Sequence, residues 1–228
     1  MGLPLESSLF PTQSPPMSQT RICLVRHGET PWNAERRLQG HENIPLNATG
    51  RQQAEAAAQA LRQWQFDAIV SSDLDRAHET ASIIASRQSA AVRFDPRLRE
   101  RHFGLMQGLT RDEAEQRHPG LYALLRNLEP DSVPAGGGES LLVFHARVRE
   151  ALETLARMHV GQTLLVVSHG GCLDAIYRMV TGIPLSKPRD FPLGNATLNW
   201  IEHEAGRWQL LSWDERSHLR GSRDEITL

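Results

Sequence analysis

The chain has 228 residues, enough for one sizeable core with a small appendage. Its hydrophobic content is 39%, its charged content 23% and its net charge −2, so no global field favours nucleic acid or a membrane surface. No apolar run approaches the ~20 residues of a membrane span, and two cysteines, Cys23 and Cys172, are too few for a disulfide framework.

Residues 1–20, rich in Ser, Pro and Gln, read as a flexible N-terminal extension without the features of a secretion signal. Arg21–Val25 is a buried strand that runs straight into Arg26-His27-Gly28. A polar loop reaches Leu46. Asn47 or Thr49 then caps a helix whose apolar stripe is Ala54, Ala57, Ala58 and Leu61. Phe66–Val70 is a second buried strand, followed by Ser71-Ser72-Asp73 and a helix at roughly Arg76–Arg87 with Thr80, Ile83 and Ile84 inward. Ala91–Phe94 is a third strand.

Residues 97–140 are the least regular. A polar helix near Arg111–Arg117, a Leu-rich turn at Leu121–Leu128 and the hinge Gly136-Gly137-Gly138 read as a lid. Leu141–Met158 has helical spacing. Thr163–Val167 is a strand ending at Ser168-His169-Gly170-Gly171, and Cys172–Val180 a helix. Ala196–Ile201 and Arg207–Trp213 flank a hairpin turn. Strands alternating with helices give an α/β, three-layer sandwich with a mostly parallel central sheet and a small lid insertion, one domain over 21–228.

Two strands thus end in histidine-glycine. Ligand sites in α/β sheets lie beyond the carboxyl ends of strands, so both imidazoles are expected at one pocket. Arg26 and Arg76 sit at comparable ends, Arg76 at a helix start suited to anions. Two guanidiniums, two imidazoles and an amide from Asn33 would cradle a phosphoryl group. A neutral imidazole can attack phosphorus. Glu100, just past the third strand, is the best proton donor, with Asp73, Glu113 and Glu115 as competing acids. The other histidines, at 41, 78, 102, 118, 145, 159, 203 and 218, read as mostly solvated, with no metal-ligand spacing. Trp64, Trp200, Trp208 and Trp213 read as packing residues, and Trp32 as a residue of the site loop.

The segments LVRHGETPWN (24–33), LQGHENIPLNATGRQQA (38–54), SSDLDRAHETA (71–81), LRERHFGLMQGL (98–109), GGGES (136–140) and VVSHGG (166–171) resemble the histidine phosphatase superfamily, which includes the cofactor-dependent phosphoglycerate mutases. The resemblance implies His27 as nucleophile, Arg26, Arg76 and His169 as phosphoryl ligands with Asn33, and Glu100 as proton donor. Thr30, Gln39, Gly40 and Gly170 would line the pocket. It implies no metal or organic cofactor. The expected activity is phosphomonoester hydrolysis through a phosphohistidine on a small phosphorylated metabolite, in the cytoplasm, with neither nucleic acid nor membrane as partner. The alternatives are a phosphoglycerate mutase and a non-catalytic phospholigand-binding module. Hydrolysis is preferred over the mutase because the lid lacks an adjacent arginine pair and Phe103 stands where mutases carry tyrosine.

Overall fold

The computed structural model describes residues 16–219. A six-stranded sheet has the order β3-β2-β4-β1-β5-β6. Its strands are β1 (Gln19–Arg26), β2 (Ala68–Ser71), β3 (Val92–Phe94), β4 (Thr163–Ser168), β5 (Leu198–Glu204) and β6 (Arg207–Glu215). β1 pairs in parallel with β4, β4 with β2 and β2 with β3, while β5 runs antiparallel to both β1 and β6. The expected α/β sandwich is the observed architecture. Of the N-terminal segment, residues 1–15 lie outside the described residues, and Gln19 and Thr20 already belong to β1.

Strands β1 and β4 are buried on both faces because both are roofed by helices. Ile22, Leu24, Leu164 and Val166 point to a layer of α6 (Leu141–Met158) and α7 (Gly170–Thr181), packing on Phe144, Leu152 and Ile176. Their alternates Cys23, Val25, Leu165 and Val167 face α2 (Ala48–Ala60) and α3 (Asp75–Ala85). There the contacts are Ala57, Ala58, Ala77 and Ala81, whose small side chains let the helices lie close to the sheet. Fully burying one Leu or Ile in such a layer stabilises by about 1.5–3 kcal/mol. Both cysteines are free and buried.

Asn47, not Thr49, caps α2, its side chain accepting from the Gly50 amide at 2.8 Å. The expected turn at 121–128 is instead a helix, α5 (Pro119–Arg126), following α4 (Arg111–Arg117). Proline at its first position sets φ for a helix, and Tyr122 and Leu125 on one face join Met106, Leu109 and Ala114 in a small core of the lid's own. Leu-rich spacing over eight residues is too short to separate turn from helix without that core. The β5–β6 hairpin closes through Ala205 and Gly206, both at positive φ, as a two-residue turn between right-twisted strands requires.

Candidate active site

The register of the two central strands builds the site. Arg26 pairs with Ser168, so His27 and His169, each one residue further on, meet at the sheet's carboxyl edge. Their rings lie 5.2 Å apart between centroids, and the His27 amide donates to Ser168 O at 2.9 Å. Asn195 braces the strand end by donating to His27 O at 2.8 Å. Gly28 follows because nothing larger fits: a Cβ there would lie 2.3 Å from Gly50 O.

His27 is 2% exposed, and its Nδ1 sits 2.7 Å from Gly28 O. A carbonyl only accepts, so Nδ1 bears the proton and Nε2 keeps its lone pair. Burial, then the charges of Arg76 and Arg26, push the imidazole well below its usual range, so it is neutral at neutral pH.

Arg26 and Arg76 are fully buried and line the same cavity as His27, a space of about 200 Å³. Arg26 donates to Leu193 O at 2.7 Å. Arg76, in the first turn of α3, donates to Gly40 O at 2.7 Å and Glu42 O at 2.8 Å. Buried guanidiniums aimed at one cavity suit an anion with several oxygens. Gly40, at φ 53°, brings its carbonyl to Arg76, and a Cβ on it would lie 2.1 Å from Gln107 Oε1. His169 is also fully buried, with Nε2 2.8 Å from Ser72 Oγ. Gln39, Asn33 and Gly170 line the cavity as expected.

Thr30 does not line the cavity. Fully buried, it caps the short helix α1 (Pro31–Ala34), and its amide and hydroxyl both donate to Asn33 Oδ1 at 3.0 Å. That occupies the amide oxygen of Asn33 and leaves its NH₂ as the group offered to the site. Thr30 therefore acts on the pocket through Asn33.

Glu100 lines the cavity and is 6% exposed. Its Oε1 accepts from the Arg101 amide at 2.7 Å and its Oε2 from the Gly171 amide at 2.9 Å. The competing acids Glu113 and Asp73 are bound elsewhere, to Arg37 and to Arg99. A guanidinium on α6 fixes the segment: Arg147 donates to Arg97 O at 2.7 Å, Arg99 O at 2.9 Å and Glu100 O at 3.2 Å, and pairs with Glu139.

Several contributors escaped the sequence reading. Gly171 touches the acid. The expectation that the remaining histidines are mostly solvated is corrected, since His78 alone among them is exposed. His41 donates from Nε2 to Glu100 O at 2.7 Å. His145 lines the cavity, and burial, then Arg178 and Arg101, push it down to about 4. Eight arginines and two acidic residues, Glu100 and Asp174, line the cavity of a chain whose net charge is −2.

A buried neutral imidazole and a carboxyl group facing one arginine-lined cavity define a phosphoryl-handling α/β enzyme. The histidine phosphatase superfamily (branch 1) model matches residues 22–216, and the chain belongs to that superfamily, as an enzyme of the phosphatase type. It is 37% identical over 217 residues to phosphoglycerate mutase-like protein 4 of Arabidopsis thaliana, covering 94% of this chain and 93% of that protein. It is 39% identical over 202 residues to the metal-independent phosphoserine phosphatase of the same plant, covering 88% and 83%. Among solved structures, phosphoserine phosphatase from Entamoeba histolytica in complex with 3-phosphoglyceric acid superposes with a TM-score of 0.79 at 29% identity, covering 88% of this chain and 100% of that one.

Proposed function

We propose that this chain hydrolyses the phosphomonoester of a small metabolite through a phosphohistidine at His27. The observation that carries the reading is the buried His27 ring, its Nδ1 proton held by Gly28 O and its Nε2 available beside Arg26 and Arg76. Nε2 attacks phosphorus in line, the P–O bond to the alcohol breaks, and protonated Glu100 gives its proton to the leaving oxygen. The ring becomes an N-phosphoimidazolium whose Nδ1–H still faces Gly28 O. Arg26, Arg76, His169 and Asn33 hold the equatorial oxygens. Glu100, now a carboxylate, takes a proton from water as that water attacks. The P–N bond breaks, phosphate forms, and both groups return to their starting states.

Trapping tests this. Brief reaction with a ³²P-labelled ester, quenched in base, is expected to leave one acid-labile label on the wild type and none on His27→Ala. Label and turnover retained in that variant would remove the mechanism.

Phosphoglycerate mutase is the second reading, favoured by the mutase-like relative and by Arg101, which stands beside the acid in the cavity wall. Given 3-phosphoglycerate with catalytic 2,3-bisphosphoglycerate, the hydrolase releases phosphate faster than it forms 2-phosphoglycerate. Among the described residues no helix is long and apolar enough to cross a membrane. The cytoplasm, where buried thiols stay reduced, is the compartment we assign.

A further inference from the structure

Arg76 and Glu100 reach the cavity from different elements, the first turn of α3 and the segment after β3. Holding a phosphoryl group and protonating its leaving oxygen in one step requires a fixed spacing between them. One short turn touches both. It runs from Gln39 to Glu42 and closes through the Glu42 amide, which donates to Gln39 O at 3.0 Å. Gly40 takes its second position at φ 53°, a conformation that suits glycine.

The turn divides its polar groups between the two sides. The carbonyls of Gly40 and Glu42 accept from Arg76, at 2.7 and 2.8 Å. The side chain between them, His41, donates from Nε2 to Glu100 O at 2.7 Å. A carbonyl only accepts, so Nε2 carries the ring proton. Burial lowers this imidazole from its usual range, against the Glu100 carbonyl that raises it, so the ring is neutral near pH 7. His102 packs edge-on against it, with centroids 4.8 Å apart, and so restricts its plane. Gln107 holds the turn itself: its Oε1 accepts from the His41 amide at 2.9 Å, and its Nε2 donates to Glu42 Oε1 at 3.2 Å. Glu100 O also accepts from Arg147 Nη2, at the longer distance of 3.2 Å.

We propose that His41 is a positioning residue, which through Glu100 O sets where the Glu100 carboxyl stands relative to Arg76. His41 is not among the residues that line the cavity, so it acts on the reaction only through Glu100. Its kinetic effect rests on the hydrolase reading above; its hold on the carboxyl rests on the hydrogen bonds alone. Three consecutive residues thus join the proposed phosphoryl ligand to the proposed acid, and a displacement at His41 becomes a displacement of the proton from the leaving oxygen.

The test compares His41→Phe, a ring of similar shape without a donor, with His41→Gln, whose amide reaches the place of Nε2. The first readout is the Gly171 amide proton in ¹H–¹⁵N NMR spectra. It donates to Glu100 Oε2, so its resonance reports the carboxyl group whether or not the enzyme turns over. It is expected to move in His41→Phe and to return towards its wild-type place in His41→Gln. The Thr163 amide, which donates to Asp67 Oδ2 at 2.8 Å, should stay put and certify the fold. If it does not, His41→Asn, too short to reach Glu100 O, replaces His41→Phe. The second readout is kcat, expected to fall about ten- to a hundred-fold on alkyl phosphates in His41→Phe and to recover in His41→Gln. Turnover of p-nitrophenyl phosphate and inhibition by vanadate, which do not call on the proton, should stay near wild type. A Gly171 resonance that ignores His41→Phe, or moves as far in His41→Gln, would overturn the positioning role. So would unchanged kcat, or equal losses on both esters where Glu100→Gln still separates them. If Glu100→Gln separates nothing, or the wild type hydrolyses neither ester, the hydrolase reading fails and the Gly171 resonance alone decides the position of the carboxyl.

Discussion

The amide of Gly171 donates to Glu100 Oε2 at 2.9 Å, and a Cβ placed on Gly171 would lie 2.2 Å from Glu100 Oε1. The proposed acid is thus packed against a position that tolerates only hydrogen. Gly171→Ala should push aside the flexible carboxylate and leave α7 intact, since helix propensity favours alanine by up to about 1 kcal/mol. Turnover of alkyl phosphates should fall ~10²–10⁴-fold, as for loss of a general acid. p-Nitrophenyl phosphate, whose phenolate leaves unprotonated, should lose far less. Equal losses on both esters, at unchanged Tm, would take Glu100 out of the acid role.

Arg147 supports the same carboxyl group from behind. Because it bridges three carbonyls and Glu139, Arg147→Lys keeps the charge but cannot span the set. Its signature should match that of Gly171→Ala in leaving-group dependence, with an added stability loss of about 1–3 kcal/mol from unsatisfied carbonyls. Urea unfolding together with kcat on the two ester types checks both parts. A stability loss with equal kinetic effects would make Arg147 a fold residue only.

Acid should unfold the protein early. His27 and His169 are held well below the usual imidazole range, chiefly by burial, and His145 is pushed down to about 4. The unfolded chain takes up these protons near pH 6.5, but the folded chain does not, so falling pH favours the unfolded state. Each such group steepens the loss by about 1.4 kcal/mol per pH unit below 6.5, for His145 as far as pH 4. Denaturant midpoints between pH 7.5 and 4.5 should drop accordingly, and His145→Gln should flatten the slope. A profile insensitive to pH would contradict the neutral state assigned to the three rings.

The cradle predicts a difference between charge and fork. Arg76 uses two nitrogens on Gly40 O and Glu42 O, a geometry lysine cannot copy. Both Arg76→Ala and Arg76→Lys should weaken inhibition by vanadate, a mimic of the transferring group, with lysine recovering only part. Undiminished vanadate inhibition in Arg76→Ala would exclude the residue from the site.

The strand ends were legible because their information is local. LVRHG and VVSHG announce buried strands and place a histidine one step beyond each, and the parallel register did the rest. What stayed hidden depends on distance in space. Thr30 looks like a pocket residue in sequence, yet its hydroxyl is spent on Asn33. Gly171 reads as an ordinary helix-start glycine until Glu100 arrives from 71 residues away. His41 and His145 carry no spacing motif, since each is recruited by a different element. The eight arginines of the cavity wall are scattered among 24 that composition cannot rank. The lid helix α5 was missed for the same reason: its partners Met106 and Leu109 lie outside its own window.

On the proposed reading, Arg26 and Arg76, held in place by backbone carbonyls, take the phosphoryl oxygens, and inorganic phosphate presents the same oxygens once the alcohol has gone. The binding strength that draws in the ester therefore also retains the product, and leaving the cavity becomes a step that competes with chemistry for control of the rate. Flux through such an enzyme answers to the ambient phosphate level as well as to its substrate. On that reading it runs freely when phosphate is scarce and slows as phosphate accumulates, a response that requires neither a separate regulatory site nor a change of shape.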